Sequence, residues 1–152
     1  MNSTQTAVDA IHKTVLVKCD PEQAFRVFTR EIGSWWPLQR YSIGEDKVTE
    51  VVFEEQAGGR ILERHSDGGE GEWGRVLEWE PPRRFVMSWY PGNEPADATE
   101  LEVRFAPEGE GTRVDLDHRG WERFAEQAAE RRSGYDSGWN EVLGYYERAL
   151  NG

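Results

Sequence analysis

Three histidines, one cysteine and a handful of acids carry whatever chemistry this 152-residue chain has. His118 is the first candidate. It ends an alternating run in which Thr112, Val114, Leu116 and His118 share one face, and that face is apolar enough to turn inward. An inward imidazole either hydrogen-bonds to the fold around it or anchors a ligand or moves a proton, because its charge changes near neutral pH. Glu63 and His65 are the second candidate. Two apart on a strand, they share a face with Ile61 unless a bulge intervenes, and a buried Glu beside a His can form an acid–base pair. The alternative, which the following Ser66-Asp67-Gly68-Gly69 favours, is that His65 lies at an exposed strand end.

Other patterns exclude chemistry. Cys19 is the only cysteine, so no intramolecular disulfide or cysteine-based metal cluster can form. No His-x-x-x-His pair is present, so no metal is expected, and no cofactor either. Gly68-Gly69-Glu70-Gly71 lacks the Gly-Lys-Ser/Thr of a phosphate loop and reads as a hairpin. Ser133 and Ser137 sit in no nucleophile-elbow sequence.

These side chains need elements to hold them. Ile11–Cys19 reads as a strand. Asp20-Pro21-Glu22-Gln23 then starts a helix, with Asp20 as the cap, Pro21 in the first turn and Gln23 completing a capping box. That helix, with Ala24, Phe25 and Phe28 inward, is expected to end near Gly33. Trp35-Trp36-Pro37 follows, and Leu38 to Asp46 reads as a loop, alone or with a short helix. On a short turn at most one of Trp35 and Trp36 is expected in the core, the other lining a pocket mouth.

Six strands follow near Lys47–Glu55, Arg60–His65, Glu72–Trp79, Arg84–Tyr90, Thr99–Ala106 and Thr112–Arg119. Their turn-rich connections are too short for crossover helices, which predicts an antiparallel sheet. Phe85, Met87 and Trp89 form one apolar face, and Leu101, Val103 and Phe105 another. Glu122 to Arg132 reads as a surface helix or a mobile flap. From about Tyr135 to Leu150 a closing helix carries Tyr135, Trp139, Val142, Leu143, Tyr146 and Leu150 at spacings of three and four. Gly138 and Gly144 are expected to let it approach the sheet closely. The order β-α-β6-α defines an α+β fold occupying residues 11–150 as one domain, after a disordered or extended segment over residues 1–10.

Charge and composition bound the partners. Twenty-nine acidic residues against 18 basic ones give a net charge of −11, which excludes a phosphate-tracking nucleic-acid surface and disfavours an anionic membrane surface. No apolar run is long enough to insert in a membrane, and the polar N-terminus lacks a signal core. A cytoplasmic setting follows, as a monomer or homodimer. Seven Trp, five Tyr and six Phe supply large rings for core or pocket.

Several segments together resemble a known superfamily. They are Asp20-Pro21-Glu22-Gln23-Ala24-Phe25, Trp35-Trp36-Pro37, Gly58-Gly59-Arg60, Trp73 through Arg84, Trp89, Gly111-Thr112-Arg113-Val114, His118-Arg119-Gly120-Trp121, and Gly138-Trp139 with Val142-Leu143. In order and spacing they resemble the START-like, polyketide-cyclase-like superfamily. Within it they are most similar to stand-alone bacterial domains related to the C-terminal half of the activator of the ninety-kilodalton heat-shock protein ATPase. The resemblance implies a helix-grip fold, a six- or seven-stranded sheet wrapped around a long C-terminal helix, with a cavity between them for an apolar molecule.

On that basis the first expectation is binding of a small apolar or amphipathic molecule in an internal cavity. Its wall would come from Trp35, Trp36, Glu63, Met87, Trp89, Val103, Phe105, His118, Trp139 and Leu143. The alternative is a cyclase- or hydratase-like enzyme using a cavity His or Glu as general acid/base. A co-chaperone role ranks last, because the chain carries no counterpart of the separate N-terminal domain of full-length activators.

Overall fold

In the computed structural model, which describes residues 9–91 and 93–151, seven antiparallel strands form one curled sheet around a long C-terminal helix. The strands are β1 (Ile11–Val17), β2 (Val48–Phe53), β3 (Arg60–His65), β4 (Glu70–Glu80), β5 (Arg84–Trp89), β6 (Thr99–Glu108) and β7 (Gly111–Arg119). Their spatial order is β1-β7-β6-β5-β4-β3-β2. Except for β1, which folds back onto the last strand, the sheet is a meander of hairpins, as the short connections require. The helices are α1 (Pro21–Phe28) and α2 (Ala128–Asn151). This is the expected α+β helix-grip architecture. All of the expected segment 1–10 except Asp9 and Ala10 lies outside the described residues.

Alternation is cleanest where it was read. On β6, Thr99, Leu101, Val103 and Phe105 are buried, and on β7 so are Thr112, Val114, Leu116 and His118. Bulges break the pattern elsewhere. The register shifts between Ile61 and Leu62, and Ile61, Leu62 and Glu63 are all buried.

Helix α1 begins as expected, with the Asp20 carboxylate accepting from the Gln23 amide at 2.8 Å. It ends five residues earlier than expected. At Thr29 the backbone leaves the helical region (φ −100°, ψ −80°) while the hydroxyl donates back to the Phe25 carbonyl, a local bond that competes with helix continuation. A three-ten turn at Ile32–Ser34 follows. The buried face of α1 seats Phe25 and Phe28 on Phe85 and Phe105, with ring centroids 5.1–6.0 Å apart. Such pairs add about 0.5–1.5 kcal/mol each beyond the burial itself. This end of the interior is solid.

The closing helix is longer than its apolar stripe implies. Trp121–Gln127 is three-ten, with Ala125 in a left-handed conformation (φ 49°, ψ −115°), and α2 starts directly after it at Ala128. The extra turns are charged and only their underside is covered. Trp139, Val142, Leu143 and Tyr146 face the sheet, each at most 3% exposed. Helix α2 is strapped to β1 along its length. Arg132 donates to the carbonyls of Asp9 and Ala10, and Lys13 pairs with Asp136 at 2.8 Å. At the far end the Asn151 amide accepts from the Lys18 N–H and donates to the Leu16 carbonyl. None of the described helices is long and apolar enough to cross a membrane.

Candidate functional site

A cavity of about 480 Å³ lies between the first half of α2, the end of β5 and the loop that follows Trp36. The spacing of α2 explains its shape. Gly134 and Gly138, four apart, remove two side chains from the face between Tyr135, Trp139 and Val142, and the gap is part of the cavity. A Cβ at Gly138 would already touch the Tyr41 ring at 3.5 Å. Gly144 plays no such part, because its nearest neighbour is the Arg148 side chain.

Five rings surround the space: Trp36, Tyr41, Trp89, Tyr135 and Trp139. Trp36 packs against Trp89 and Trp139 at 5.9 and 5.8 Å. Most of the wall's polar groups are spent within the fold. The Tyr41 hydroxyl donates to Glu141 at 3.3 Å and the Ser42 hydroxyl donates to the Leu38 carbonyl. Glu130 and Arg131 stand at the rim, the Arg131 guanidinium 4.3 Å over the Phe124 ring.

The wall-forming loop, residues 37–47, has no regular structure of its own apart from one three-ten turn at Glu45–Lys47. Glu63 holds it. This carboxylate is fully buried and receives four hydrogen bonds: Oε1 from the Ile43 amide (2.9 Å) and the Trp73 indole (2.7 Å), Oε2 from the Gly44 amide (2.6 Å) and His65 Nε2 (2.6 Å). Burial alone would raise its pKa, and the four donors together hold it below the usual carboxylate range. A Cβ at Gly44 would stand 2.6 Å from His65 Nε2, so a larger residue there would have to push the imidazole off Glu63. The loop is further tied to α2 by an Arg40–Glu141 ion pair, and to its own start by the Trp36 indole, which donates to the Tyr41 carbonyl at 2.6 Å.

His118 stands one layer behind the aromatic wall. Its ring lies 5.1 Å from Tyr135 and 4.4 Å from Trp121, and it is fully buried. The Trp139 indole N–H, which can only donate, bonds to Nδ1 at 3.0 Å. Nδ1 must therefore be bare and Nε2 protonated, donating to the Thr99 hydroxyl at 2.6 Å. Thr99 in turn donates to the Trp89 carbonyl at 3.3 Å. Desolvation pushes the imidazole pKa down to about 3, so the ring is neutral and both nitrogens are committed.

Of the residues named from sequence, Trp36, Trp89 and Trp139 line the cavity. The others stand elsewhere. Trp36 is buried although it lines the cavity, and Trp35 is buried beside it in the core. Its indole turns back to the Val27 carbonyl and its ring packs on Phe28 and Tyr146. The chain here runs between α1 and α2, so opposite directions both lead into core. Met87, Val103, Phe105 and Leu143 are packed in the solid interior, and His118 and Glu63 are held behind the wall. His65 is only 13% exposed and bonded to Glu63, not free at a strand end. The wall read from sequence left out Tyr41, Ser42, Ile43, Pro91, Glu130, Arg131 and Gly134, and it took Tyr135, Gly138 and Val142 only as packing positions of the closing helix. The two glycines were legible as a missing patch on a helix face. The loop residues carry no periodic signal. Among the described residues no group of three His, Cys, Asp or Glu could hold a metal.

Residues 18–150 match the family described as activator of Hsp90 ATPase homolog 1-like protein. No curated protein matches the chain. Among solved structures, an anthrahydroquino-γ-pyrone synthase, Txn09, is 38% identical over 74% of this chain and 77% of its own, with a TM-score of 0.55. The self-sacrificing resistance protein CalC from Micromonospora echinospora is 27% identical over 93% and 94%, with a TM-score of 0.70. The Aha1 dimer from Colwellia psychrerythraea shares the fold at 19% identity, covering 95% and 97% with a TM-score of 0.67.

Proposed function

The chain belongs to the activator of Hsp90 ATPase homolog 1-like family, and from that membership and its cavity we propose that it binds a small, flat, largely apolar molecule between α2 and the end of β5. The observation that carries the reading is the five-ring wall around about 480 Å³. Aromatic faces reward a planar guest by stacking, and a concave apolar site with few polar groups suits a small molecule. The likeness to a synthase of a polycyclic pyrone supports a multi-ring guest. That likeness also supports a second reading, in which the wall shapes such a substrate for ring formation. The acid or base of that reaction would not be His118 or Glu63, whose polar atoms are committed within the fold. A monomer or a homodimer is compatible with either reading.

A planar polycyclic ligand at a hundred times its Kd should stabilise the fold by about 2.7 kcal/mol, raising Tm by roughly 5–10 °C in a domain this size. Gly134→Phe supplies the control. No atom lies within 4 Å of a Cβ there, so the new ring enters open space and blocks the cavity without displacing core. The thermal shift should vanish in this variant while the unliganded fold still melts cooperatively. Polycyclic ligands that leave Tm unmoved, or a shift that survives Gly134→Phe, would count against the proposal.

A further inference from the structure

Resting on the cavity as the ligand site, one wall residue identifies the chemistry of the guest. Among the described residues, Trp89 Nε1 is the only buried side-chain nitrogen or oxygen without a hydrogen-bond partner. A buried donor left unmade is costly, and an indole N–H can only donate. Its neighbour on the wall is Tyr135. The indole acts on the Tyr135 phenol, opposing the rise that burial imposes, although the pair falls short of hydrogen-bond geometry. Among the described residues the Tyr135 hydroxyl donates to no protein acceptor, unlike the Tyr41 and Ser42 hydroxyls of the same cavity. With the Trp89 N–H donating to the phenol oxygen, the phenol proton is free to be donated to a molecule in the cavity that Tyr135 lines.

We propose that the Tyr135 hydroxyl, backed by the Trp89 N–H, donates a hydrogen bond to a carbonyl-type oxygen on an aromatic guest. The order Trp89 N–H to Tyr135 O–H to guest oxygen is a donor chain in which each bond polarises the next. It closes only when an acceptor is present, so the unmade bond of the empty state becomes binding energy in the filled one. Arg131 favours the same polarity, since its charge stabilises negative character at the phenol oxygen. Glu130 at the rim weighs against a fully anionic guest. A neutral ketone or quinone oxygen satisfies both.

Fluorenone and fluorene test this, being one skeleton with and without a carbonyl. Binding is read from quenching of the tryptophans that line the wall. The protein should prefer fluorenone, and Tyr135→Phe should erase that preference by roughly three- to tenfold, the range of one net hydrogen bond, while fluorene affinity holds. The infrared carbonyl stretch of bound fluorenone should move to lower frequency in the unaltered protein and return in Tyr135→Phe, a signature that packing alone does not move. Equal affinity for both probes, or a preference and stretch unchanged in Tyr135→Phe, overturns the role of Tyr135 and leaves the cavity as a binding site. Failure of both probes to bind removes the site itself and this inference with it.

Discussion

Replacing Glu63 with alanine is expected to destabilise the fold by about 3–5 kcal/mol, because several buried donors lose their acceptor at roughly 1–3 kcal/mol each, and to free the loop of residues 37–47. The carboxylate is the common acceptor for two backbone amides, an indole and an imidazole. Its removal strands the Trp73 N–H in the core, where that ring is 1% exposed, and leaves the Ile43 and Gly44 amides without a partner. Glu63→Gln restores only part, because its carboxamide turns an NH2 group toward two of the donors. Acid should reproduce the effect. The folded carboxyl titrates below its unfolded value, so its contribution is complete above the unfolded value of about 4.3 and is lost as pH falls through the lower, folded one. Urea midpoints and amide exchange at Ile43 and Gly44 check the prediction. An alanine variant within about 1 kcal/mol of the parent, with both amides still protected, would sink it.

The second large effect is acid sensitivity from His118. The imidazole pKa falls from 6.5 unfolded to about 3 folded, so between those values the unfolded chain binds the extra proton. Stability is whole above pH 6.5 and declines below it by about 1.4 kcal/mol per pH unit. Protonating Nδ1 in place would press a new N–H against the Trp139 donor, which explains why the folded state resists. His118→Gln can accept from Trp139 and donate to Thr99 but does not titrate. It should be less stable at pH 7 by about 1–3 kcal/mol, the gap closing as pH falls and reversing near pH 5. Acid effects from Glu63 occur in both proteins and cancel in the difference. A gap that stays constant from pH 7 to 4.5 would refute a neutral, desolvated His118.

Sequence and structure agree where a side chain's fate depends on its neighbours along the chain. Asp20 caps because the Gln23 amide is three residues away, and Leu101, Val103 and Phe105 are buried because period two leaves them no other face. His118 could be placed inward on the same grounds. Its commitment to Trp139 and Thr99 could not, since those partners arrive from α2 and β6. Glu63 and His65 show the limit more sharply. What buries them is a loop twenty residues earlier in the chain, and no local pattern announces that two of its amides need a carboxylate. The wall from Tyr41 to Ile43 is invisible for the same reason. The cavity's position also depends on volume. Enough rings gather around α1 to fill one end of the interior, and the two glycines of α2 leave the other unfilled.

The straps that join α2 to β1 at Arg132, Asp136 and Asn151 would limit the ways in which a guest of the proposed kind reaches the cavity. A helix held at both ends cannot swing away from the sheet without breaking several bonds at once, so a guest of the proposed kind would have to pass where residues 37–47 close the space. That closure rests on Glu141 and Glu63 at two separate points. Weakening the Arg40 pair, which lies at the surface, loosens the closure while leaving the stacking surfaces of the wall unchanged. For a guest held by the rings alone, arrival and departure would then accelerate together. On the proposed reading the rings would set the affinity and the loop the barrier that a guest crosses in either direction.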